Sequence, residues 1–174
     1  MSIYLHNGKL NPTPNNIISI DPAIKNLAIR YEYRTYDPVK TNTILFDKIE
    51  IDTYSEIIHY LDQHPFNPDC VIIEYQIPTN YKAVRVSQTL LTYYLIKYNN
   101  ANIVEVHPSL KNKVISHSNR KLGSIIKAYE ILKSHNDDGY IIMDKFKKKD
   151  DLADTVCQIE SYLSYLLSIT HIKW

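Results

Sequence analysis

The chain has 174 residues, 44% of them hydrophobic, which is enough for one domain with a substantial core and too few for two. Its net charge of +1 is unevenly distributed, because residues 107–149 contain ten Lys and Arg against four Asp and Glu, whereas the rest of the chain contains ten against fifteen. The chain lacks an apolar run of about 18 residues and a signal-peptide core, which argues against a membrane span and a secretory leader.

Three strands are predicted near the start of the chain, after a short arm. Residues 1–15 show neither strand nor helix periodicity and are typical of an N-terminal arm. Residues 16–21 form a mostly apolar, β-branched run that ends on Asp21, which is typical of a central strand buried on both faces. Residues 27–34 and 42–51 alternate apolar and polar side chains, so they predict two further strands in an antiparallel meander.

The middle of the chain alternates between helix and strand. Helical spacing of apolar residues predicts helices over residues 53–64 and 81–98. A second continuous apolar run, residues 70–74, again ends on an acid, Glu74, and residues 103–106 form a last short strand. Ligands of open α/β sheets bind at the carboxyl ends of the strands. We therefore expect the acids that end the two apolar runs to lie at a binding edge.

The last third of the chain contains two amphipathic helices and two polar segments. Residues 109–120 are a polar, basic loop, and residues 136–149 are loop-like. Apolar residues at helical spacing predict a helix around residues 122–132 and a final helix from residue 152 to 166. The resulting order is β-β-β-α-β-α-β-α-α, which predicts an α/β fold with a mixed five-stranded sheet flanked by helices.

Two carboxylates lie one turn apart at the start of the final helix. Asp151 and Asp154, at positions i and i+3, face the same patch of surface beside the buried stripe. Such a pair repels unless a cation or a proton compensates it. The preceding lysines and the positive helix N-terminus offset part of this repulsion. For this motif alone, a well-capped surface helix with Asp150 as N-cap is an equally good interpretation.

The four acids Asp21, Glu74, Asp151 and Asp154 together predict a metal centre. Carboxylate oxygens without converging His or Cys suit Mg²⁺ or Mn²⁺ rather than Zn²⁺. Four such ligands are enough for two ions about 4 Å apart, which activate a water and stabilise the leaving oxygen in phosphodiester hydrolysis. We expect Asp21 to bridge both ions, Glu74 to hold one, and the Asp151/Asp154 pair to hold the other.

Three segments resemble the signature segments of the RuvC-like Holliday junction resolvases. They are SIDPAIKNLA from Ser19, VIIEYQ from Val71 and KKDDLAD from Lys148. They occur in the order found in the family and span most of the chain, and the last is most similar to the branch of poxvirus and fungal mitochondrial resolvases. One departure is Ala23, which stands where the family usually has glycine, a residue that tolerates φ > 0.

This resemblance implies a fold, an activity and a set of partners. The fold is the RNase H-like fold, in a single nuclease domain over residues 1–174. The activity is the paired, symmetric nicking of four-way DNA junctions by a homodimer that uses two Mg²⁺ ions, for which Mn²⁺ is expected to substitute. The metal ligands are Asp21, Glu74, Asp151 and Asp154. No membrane and no other small-molecule cofactor is implied.

The family also uses a lysine between the acid of the fourth strand and the final acidic pair. Lys121, at the head of a predicted helix, is our first choice, and Lys111 and Lys113 are the alternatives. Contacts to DNA are expected from residues that follow Glu74 and from the basic segment. These residues are Tyr75, Gln76, Tyr81, Lys82, Arg85, Lys111, Lys113, Arg120, Lys147, Lys148 and Lys149.

Other interpretations use the same residues. An RNase H-like nuclease acting on an RNA/DNA hybrid or on branched DNA would need the same four acids, because fold and metal site do not fix the substrate. A catalytically silent nucleic-acid-binding domain would be expected to have lost an acid. An actin-like phosphotransferase would need glycine-rich phosphate loops, whereas the chain has three glycines.

The cellular setting is predicted from the resemblance and from the start of the chain. The KKDDLAD segment favours a viral protein that resolves replication or recombination intermediates. Residues 1–15 lack the Arg-rich amphipathic character of a mitochondrial presequence. We therefore expect an intracellular protein that acts in the host cytoplasm rather than in mitochondria.

Overall fold

The computed structural model describes residues 3–115 and 119–170. The strands are β1 (Ile3–Asn7), β2 (Asn16–Asp21), β3 (Leu27–Tyr36), β4 (Val39–Ile49), β5 (Cys70–Glu74) and β6 (Asn102–Val106). The helices are α1 (Tyr54–Gln63), α2 (Tyr81–Lys97), α3 (Arg120–Ser134), α4 (Gly139–Asp144) and α5 (Asp150–Thr170), and a 3₁₀ helix spans Pro108–Lys113. The strands form a mixed sheet in the order β1-β6-β5-β2-β3-β4. The predicted α/β class, with helices flanking a mixed sheet, is confirmed.

The parallel strands β2, β5 and β6 form the centre of the sheet. On one face, Ile18 and Ile73 belong to a core cluster with side chains of α1 and α2. On the other face, Ile17 and Ile72 pack with side chains of α5. A strand covered on both faces is apolar at nearly every position. This is why the runs that form β2 and β5 were recognisable as strands, with the bounds that the structure has.

The sheet has six strands in the described residues rather than the predicted five. Part of the predicted N-terminal arm is β1, which pairs antiparallel with β6 through partners such as Ile3 and Val106. Three of the five residues of β1 are exposed. An edge strand held by backbone pairing, with little buried surface, carries no hydrophobic alternation that periodicity could detect.

Two segments predicted as loops contain short helices. The 3₁₀ helix Pro108–Lys113 begins the predicted loop at residues 109–120, of which residues 116–118 lie outside the described residues. The short helix α4 interrupts the segment predicted as loop over residues 136–149. Among the described residues, no helix has both the length and the apolar character needed to cross a membrane.

The helix α3 buries small side chains in its first turns and the apolar Ile131 and Leu132 near its end. Leu122 and Ile126 are 46% and 43% exposed, whereas Gly123, Ser124 and Ala128 are buried. Small side chains allow α3 to lie close against α5, since Sγ of Cys157 lies 3.6 Å from the Ser124 carbonyl oxygen. Of the apolar residues that predicted this helix, Leu132 is buried and Ile125 and Tyr129 pack against the core, whereas Leu122 and Ile126 are exposed.

Candidate active site

Two acids lie at neighbouring strand ends. The strands β2 and β5 run parallel, and the partner of Ile20 is Ile73, so the next residues, Asp21 and Glu74, leave the sheet at the same edge. Both acids are half-buried. The placement follows from parallel pairing, because the carboxyl ends of parallel strands meet at one edge.

The helix α5 adds Asp151 and Asp154 from its first turns. The helix is anchored across the central strands by Gln158, whose Nε2 donates to the carbonyl oxygens of Ile20 at 3.3 Å and Ile72 at 3.0 Å. The hydroxyl of Ser19 donates to the Thr155 carbonyl oxygen at 2.9 Å. These contacts tie the start of α5 to the strands that carry the other two acids.

A buried lysine lies among these carboxylates. Lys111, from the 3₁₀ helix, has a side chain only 4% exposed, and its Nζ lies 2.5 Å from Glu74 Oε2 and 2.6 Å from Asp154 Oδ2. Strand β6 ends at Val106, and Pro108 starts the 3₁₀ helix at once, with His107 Nδ1 accepting from the Ser109 backbone N–H. This tight turn carries Lys111 back over the sheet edge.

The electrostatics of the site reflect the crowding of like charges. Burial and the neighbouring Glu74 raise the pKa of Asp21 well above its ordinary value. Burial acts to lower the pKa of Lys111, but the carboxylates of Glu74 and Asp154 outweigh burial and raise the pKa, so the ammonium stays charged. The cluster is therefore a strongly negative site that requires positive charge.

Two carboxylate oxygens of the site are suited to a cation. Glu74 Oε2 and Asp151 Oδ2 are buried, and each is paired with a lysine ammonium group, Lys111 Nζ at 2.5 Å and Lys148 Nζ at 3.1 Å. Within residues 3–115 and 119–170, no three acidic, His or Cys side chains already converge as ligands of one ion. In the structure, the positive charge between Glu74 and Asp154 is the ammonium of Lys111. The oxygen-only donor set fits Mg²⁺ or Mn²⁺ in ligand type.

A cavity of about 380 Å³ opens over these groups. Glu74, Asp151 and Asp154 line it together with Lys111 and Arg120. The acidic groups can hold metal ions, and the basic groups beside them can pair with a phosphate. The lining therefore suits a phosphate that cations contact from both sides.

Lys121 occupies a different position from Lys111. Its side chain is 74% exposed, and its Nζ lies 3.0 Å from Asp150 rather than from one of the four clustered acids. Lys113 points to the ring of Tyr165, with Nζ 5.0 Å from the ring centroid. Of the three lysines considered from the sequence, the structure places Lys111 in contact with the acids.

The three lysines before α5, at positions 147–149, differ in their contacts. Lys147 and Lys148 are exposed, and Lys148 lies 3.1 Å from Asp151. Lys149 instead pairs with Asp144 at 2.5 Å and is half-buried. The first two lysines are therefore the more available for phosphate contacts.

The residues that follow Glu74 lie along the same edge but on the other side of the sheet. Tyr75, Gln76 and Tyr81 line a second cavity together with side chains of α2. Lys82 and Arg85 are exposed on α2, and the Arg85 guanidinium lies 5.8 Å from the centroid of the Tyr81 ring.

Two residues at the site escaped the sequence analysis. Lys48 of β4 lies 3.9 Å from Asp151 and donates to the Lys148 carbonyl oxygen. Gln158 lies within a mostly apolar stretch of the α5 sequence. Both approach the site through tertiary packing, and nothing in local spacing marks them.

The turn at Ala23 is unstrained. Asn136 is the one non-glycine residue with positive φ in the described residues, so Ala23 does not have the positive φ that would favour glycine.

The chain is similar to viral proteins of unassigned function and to solved resolvases. It is 32% identical over 103 residues to uncharacterized protein 97L of Invertebrate iridescent virus 3, which covers 54% of this chain and 47% of the relative. The chain spans about half the length of the curated relatives it matches.

Two solved structures share the fold. The fowlpox virus resolvase in complex with Holliday junction DNA has 25% identity and a TM-score of 0.65, and the match covers 86% of this chain and 99% of that one. The yeast mitochondrial Holliday junction resolvase has 14% identity and a TM-score of 0.66, over 92% of this chain and 85% of that one. The RNase H-like fold implied by the three motifs is confirmed.

A match to a sequence profile shows which family this chain belongs to. The profile described as "Poxvirus A22 protein" matches residues 15–168, which include every strand from β2 onwards and nearly all of α5. It also includes all three segments that carry the resemblance to RuvC-like resolvases. This protein belongs to the poxvirus A22 protein family.

Proposed function

We propose that the protein is a divalent-metal-dependent endodeoxyribonuclease that resolves four-way DNA junctions by paired, symmetric nicks. The observation that carries the proposal is the convergence of four carboxylates and a buried lysine from separate parts of the chain at one sheet edge. Membership of the poxvirus A22 family supports a resolvase. The likeness to a fowlpox resolvase solved with Holliday junction DNA supports the four-way junction as substrate.

The metal ligands in this proposal are Asp21, Glu74, Asp151 and Asp154. Bound Mg²⁺, or Mn²⁺ in its place, supplies Lewis acidity and lowers the pKa of a coordinated water. The protein's part is to hold four acids at strand and helix ends whose positions the core fixes. The buried oxygens of Glu74 and Asp151 that face lysine ammonium groups support this role, because a buried carboxylate needs a positive partner.

Lys111 is the lysine that we propose for catalysis, in place of Lys121. Its ammonium is already held beside Glu74 and Asp154, where it neutralises charge on a phosphate as the attacked phosphorus gains a fifth oxygen. Lys121 is instead exposed and paired with Asp150, so we assign it to DNA-backbone binding.

The basic residues beside the site provide phosphate contacts that position the DNA. Arg120 and Lys121 line the cavity of the acids, and Lys147 and Lys148 are exposed at the entry to α5. We assign the same function to Lys82 and Arg85 on α2 and to Lys113. This distribution places positive charge locally on a protein whose net charge is only +1.

We propose that the active form is a homodimer. The four acids of one chain make one centre, and paired nicks in opposing strands require two. The groove between α1 and α2 offers an apolar contact surface, lined by Ile58, Tyr93 and Ile96, of which Ile96 is 79% exposed. For the cellular setting, we propose action on viral replication or recombination intermediates in the host cytoplasm, and the relatives in two invertebrate iridescent viruses support a viral protein.

A cleavage assay on denaturing gels tests this function. Three end-labelled substrates are compared with Mg²⁺: a synthetic four-way junction, the matching linear duplex and an RNA/DNA hybrid. We expect paired nicks in opposing strands of the junction, with the duplex spared. Cutting of the hybrid alone would overturn the substrate, and no cutting of any substrate would indicate a binding domain without activity.

Isosteric variants test the four acids. We expect Asp21→Asn, Glu74→Gln, Asp151→Asn and Asp154→Asn each to lower the junction cleavage rate by more than about 100-fold, because each removes a ligand charge. Junction binding, measured by mobility shift, should remain. Asp150→Asn is the matched control, since it removes a carboxylate from the same helix turn, and it should retain cleavage. Cleavage retained in any two of the four variants would contradict the site.

A further inference from the structure

A second cavity, of about 270 Å³, lies behind the active-site edge on the α2 face of the sheet. It is lined by Tyr75, Gln76, Tyr81, Ser87, Gln88 and Glu105, among others. Its lining shares no residue with the cavity of the acids, yet Tyr75 directly follows Glu74. Its volume lies just below the usual range of about 300–1,000 Å³ for drug-sized ligands, so it suits one small planar ring system.

The wall of this cavity contains a buried carboxylate, Glu105 of β6. The residue is 6% exposed, its Oε1 accepts from the hydroxyl of Ser87 at 3.1 Å, and its Oε2 lies 2.8 Å from Nε2 of His6. A carboxylate has about four acceptor positions. Glu105 therefore keeps acceptor capacity for a hydrogen-bond donor that enters the cavity.

Aromatic rings line this cavity and lie next to it, since Tyr75 and Tyr81 belong to its lining. The ring of Tyr75 lies 5.6 Å from that of Tyr4 and 6.3 Å from that of His107, between centroids. Tyr81 is 59% exposed and Ile77 is 54% exposed. Exposed aromatic and apolar side chains around a small cavity are typical of a surface on which a flat ring stacks.

Positive charge adjoins these rings. Arg85 and Lys82 are exposed on α2, and the Arg85 guanidinium lies over the ring of Tyr81. A ligand with a flat ring and a neighbouring negative group fits this arrangement, because the rings take the base and the cations take the phosphate.

We infer that this cavity binds one unpaired nucleobase of the DNA strand being cut, next to the scissile phosphate, and that Glu105 reads its hydrogen-bonding edge. The inference rests on the proposed function, because it places that strand across the sheet edge between Glu74 and Tyr75. The base stacks on Tyr75, and the adjoining phosphate contacts Lys82 and Arg85. The edge strand β1 contributes to the site through His6 and Tyr4.

The carboxylate selects among bases by its chemistry. Guanine presents its N1–H and 2-amino group side by side to a carboxylate, and cytosine presents a 4-amino group. Thymine offers a single N3–H between two carbonyl oxygens, which Glu105 repels. We therefore expect guanine to be preferred over thymine at the bound position by about tenfold in cleavage rate.

A set of four-way junctions tests this reading. The four bases are placed in turn at each position flanking the nick, and cleavage rates are compared for the wild-type protein, Glu105→Gln and the control Glu50→Gln, which changes an exposed carboxylate. We expect the preference for guanine over thymine to fall below about threefold in Glu105→Gln, because the amide also donates to thymine carbonyls, and to persist in Glu50→Gln. Wild-type cleavage that is equal for all bases, or a preference unchanged in Glu105→Gln, overturns the inference and leaves the proposed function standing.

A binding measurement decides the inference even if junctions are not cut or Glu105→Gln does not fold. A 2-aminopurine base beside the crossover reports unstacking by a rise in fluorescence. We expect the rise on binding wild-type protein to shrink by more than half in Tyr75→Leu and to persist in Tyr33→Leu, which changes an exposed tyrosine of β3. No cleavage of any junction would overturn the proposed function, whereas an equal rise in both variants would overturn the nucleobase site.

Discussion

Lys111 shows how a single residue acquires a role through its surroundings. Its ammonium contacts Glu74 and Asp154 and is almost wholly removed from solvent. Lys121 carries the same charge ten positions later but remains in water beside Asp150. A charge in a buried, low-dielectric site acts on a neighbouring phosphate far more strongly than one that water screens.

This difference predicts opposite outcomes for two equivalent substitutions. Lys111→Met should lower the single-turnover cleavage rate of a four-way junction by about 10²- to 10³-fold, because it removes a preorganised charge from the reacting phosphate. Lys121→Met should stay within about threefold when the enzyme is saturating. Rapid-quench kinetics would measure both rates. A larger loss in Lys121→Met than in Lys111→Met would return the catalytic role to Lys121.

At the scale of elements, the placement of α5 decides whether four acids form one site. Its buried stripe of Leu152, Val156, Ile159, Leu163 and Leu166 holds it on the sheet, as helical spacing predicted. Apolar packing alone would let α5 shift along the sheet. Gln158 limits this freedom, since it donates to carbonyl oxygens of both β2 and β5 just before Asp21 and Glu74.

Replacing Gln158 should therefore affect both stability and rate. In Gln158→Leu we expect the free energy of unfolding to fall by about 1–3 kcal/mol, because buried carbonyl oxygens lose their donor. The cleavage rate should fall about tenfold at saturating Mg²⁺, because misplaced acids lose their alignment. Thermal melts and single-turnover assays measure these effects, with the exposed Gln63→Leu as control. Lower stability with an unchanged rate would show that packing alone aligns α5.

At the scale of the whole molecule, a buried ionic network joins the sheet to the helices. Arg30 and Arg34 of β3 both pair with Glu32 between them. Arg30 also pairs with Asp137, between α3 and α4, at 2.8 Å, and Arg34 pairs with Glu160 of α5. Burial acts to raise the pKa of Glu32 and of Asp137. The two arginines outweigh burial at Glu32, and Arg30 together with hydrogen bonds from Thr41 and Thr43 outweighs it at Asp137, so each pKa lies below its ordinary value.

The network makes stability depend on pH in a defined direction. An acid with a lowered pKa in the folded state stabilises the protein above its unfolded pKa, about 3.9 for Asp and 4.3 for Glu, and this stabilisation is lost as pH falls further. Burial lowers the pKa of His135, so protonation of His135 in the unfolded chain also favours unfolding below about pH 6.5. We expect the melting temperature to fall gradually below pH 6.5 and more steeply below about pH 4.

Asp137→Asn tests the contribution of the network. It should lower the free energy of unfolding at pH 7 by about 3 kcal/mol, because Arg30 stays buried with one partner fewer. The further loss below pH 4 should be smaller than in the wild type, since one titrating group is gone. Asp138→Asn, which changes the exposed neighbouring acid, should behave as the wild type. Melting curves from pH 7 to 3 measure this, and equal slopes in both variants would contradict the assignment.

Much of the fold and the order of the acids followed from the sequence alone. Strands covered on both faces are mostly apolar, so the sequence predicted β2 and β5 together with the acids that end them. The amphipathic stripe of α5 and the KKDDLAD segment are likewise patterns of neighbouring residues, which the sequence shows by itself. Three segments in family order therefore identified both the fold and the family before any contact was known.

Other features of the fold and of the site depend on the tertiary structure, because patterns of neighbouring residues do not encode them. The edge strand β1 buries too little to show periodicity, and the first turns of α3 bury Gly123 and Ser124 while Leu122 stays exposed, because α5 lies close to them. The choice of Lys111 over Lys121, the anchoring by Gln158, and the meeting of His6, Ser87 and Glu105 join residues from distant parts of the chain. Such contacts depend on how the elements pack in space, which patterns of neighbouring residues do not encode.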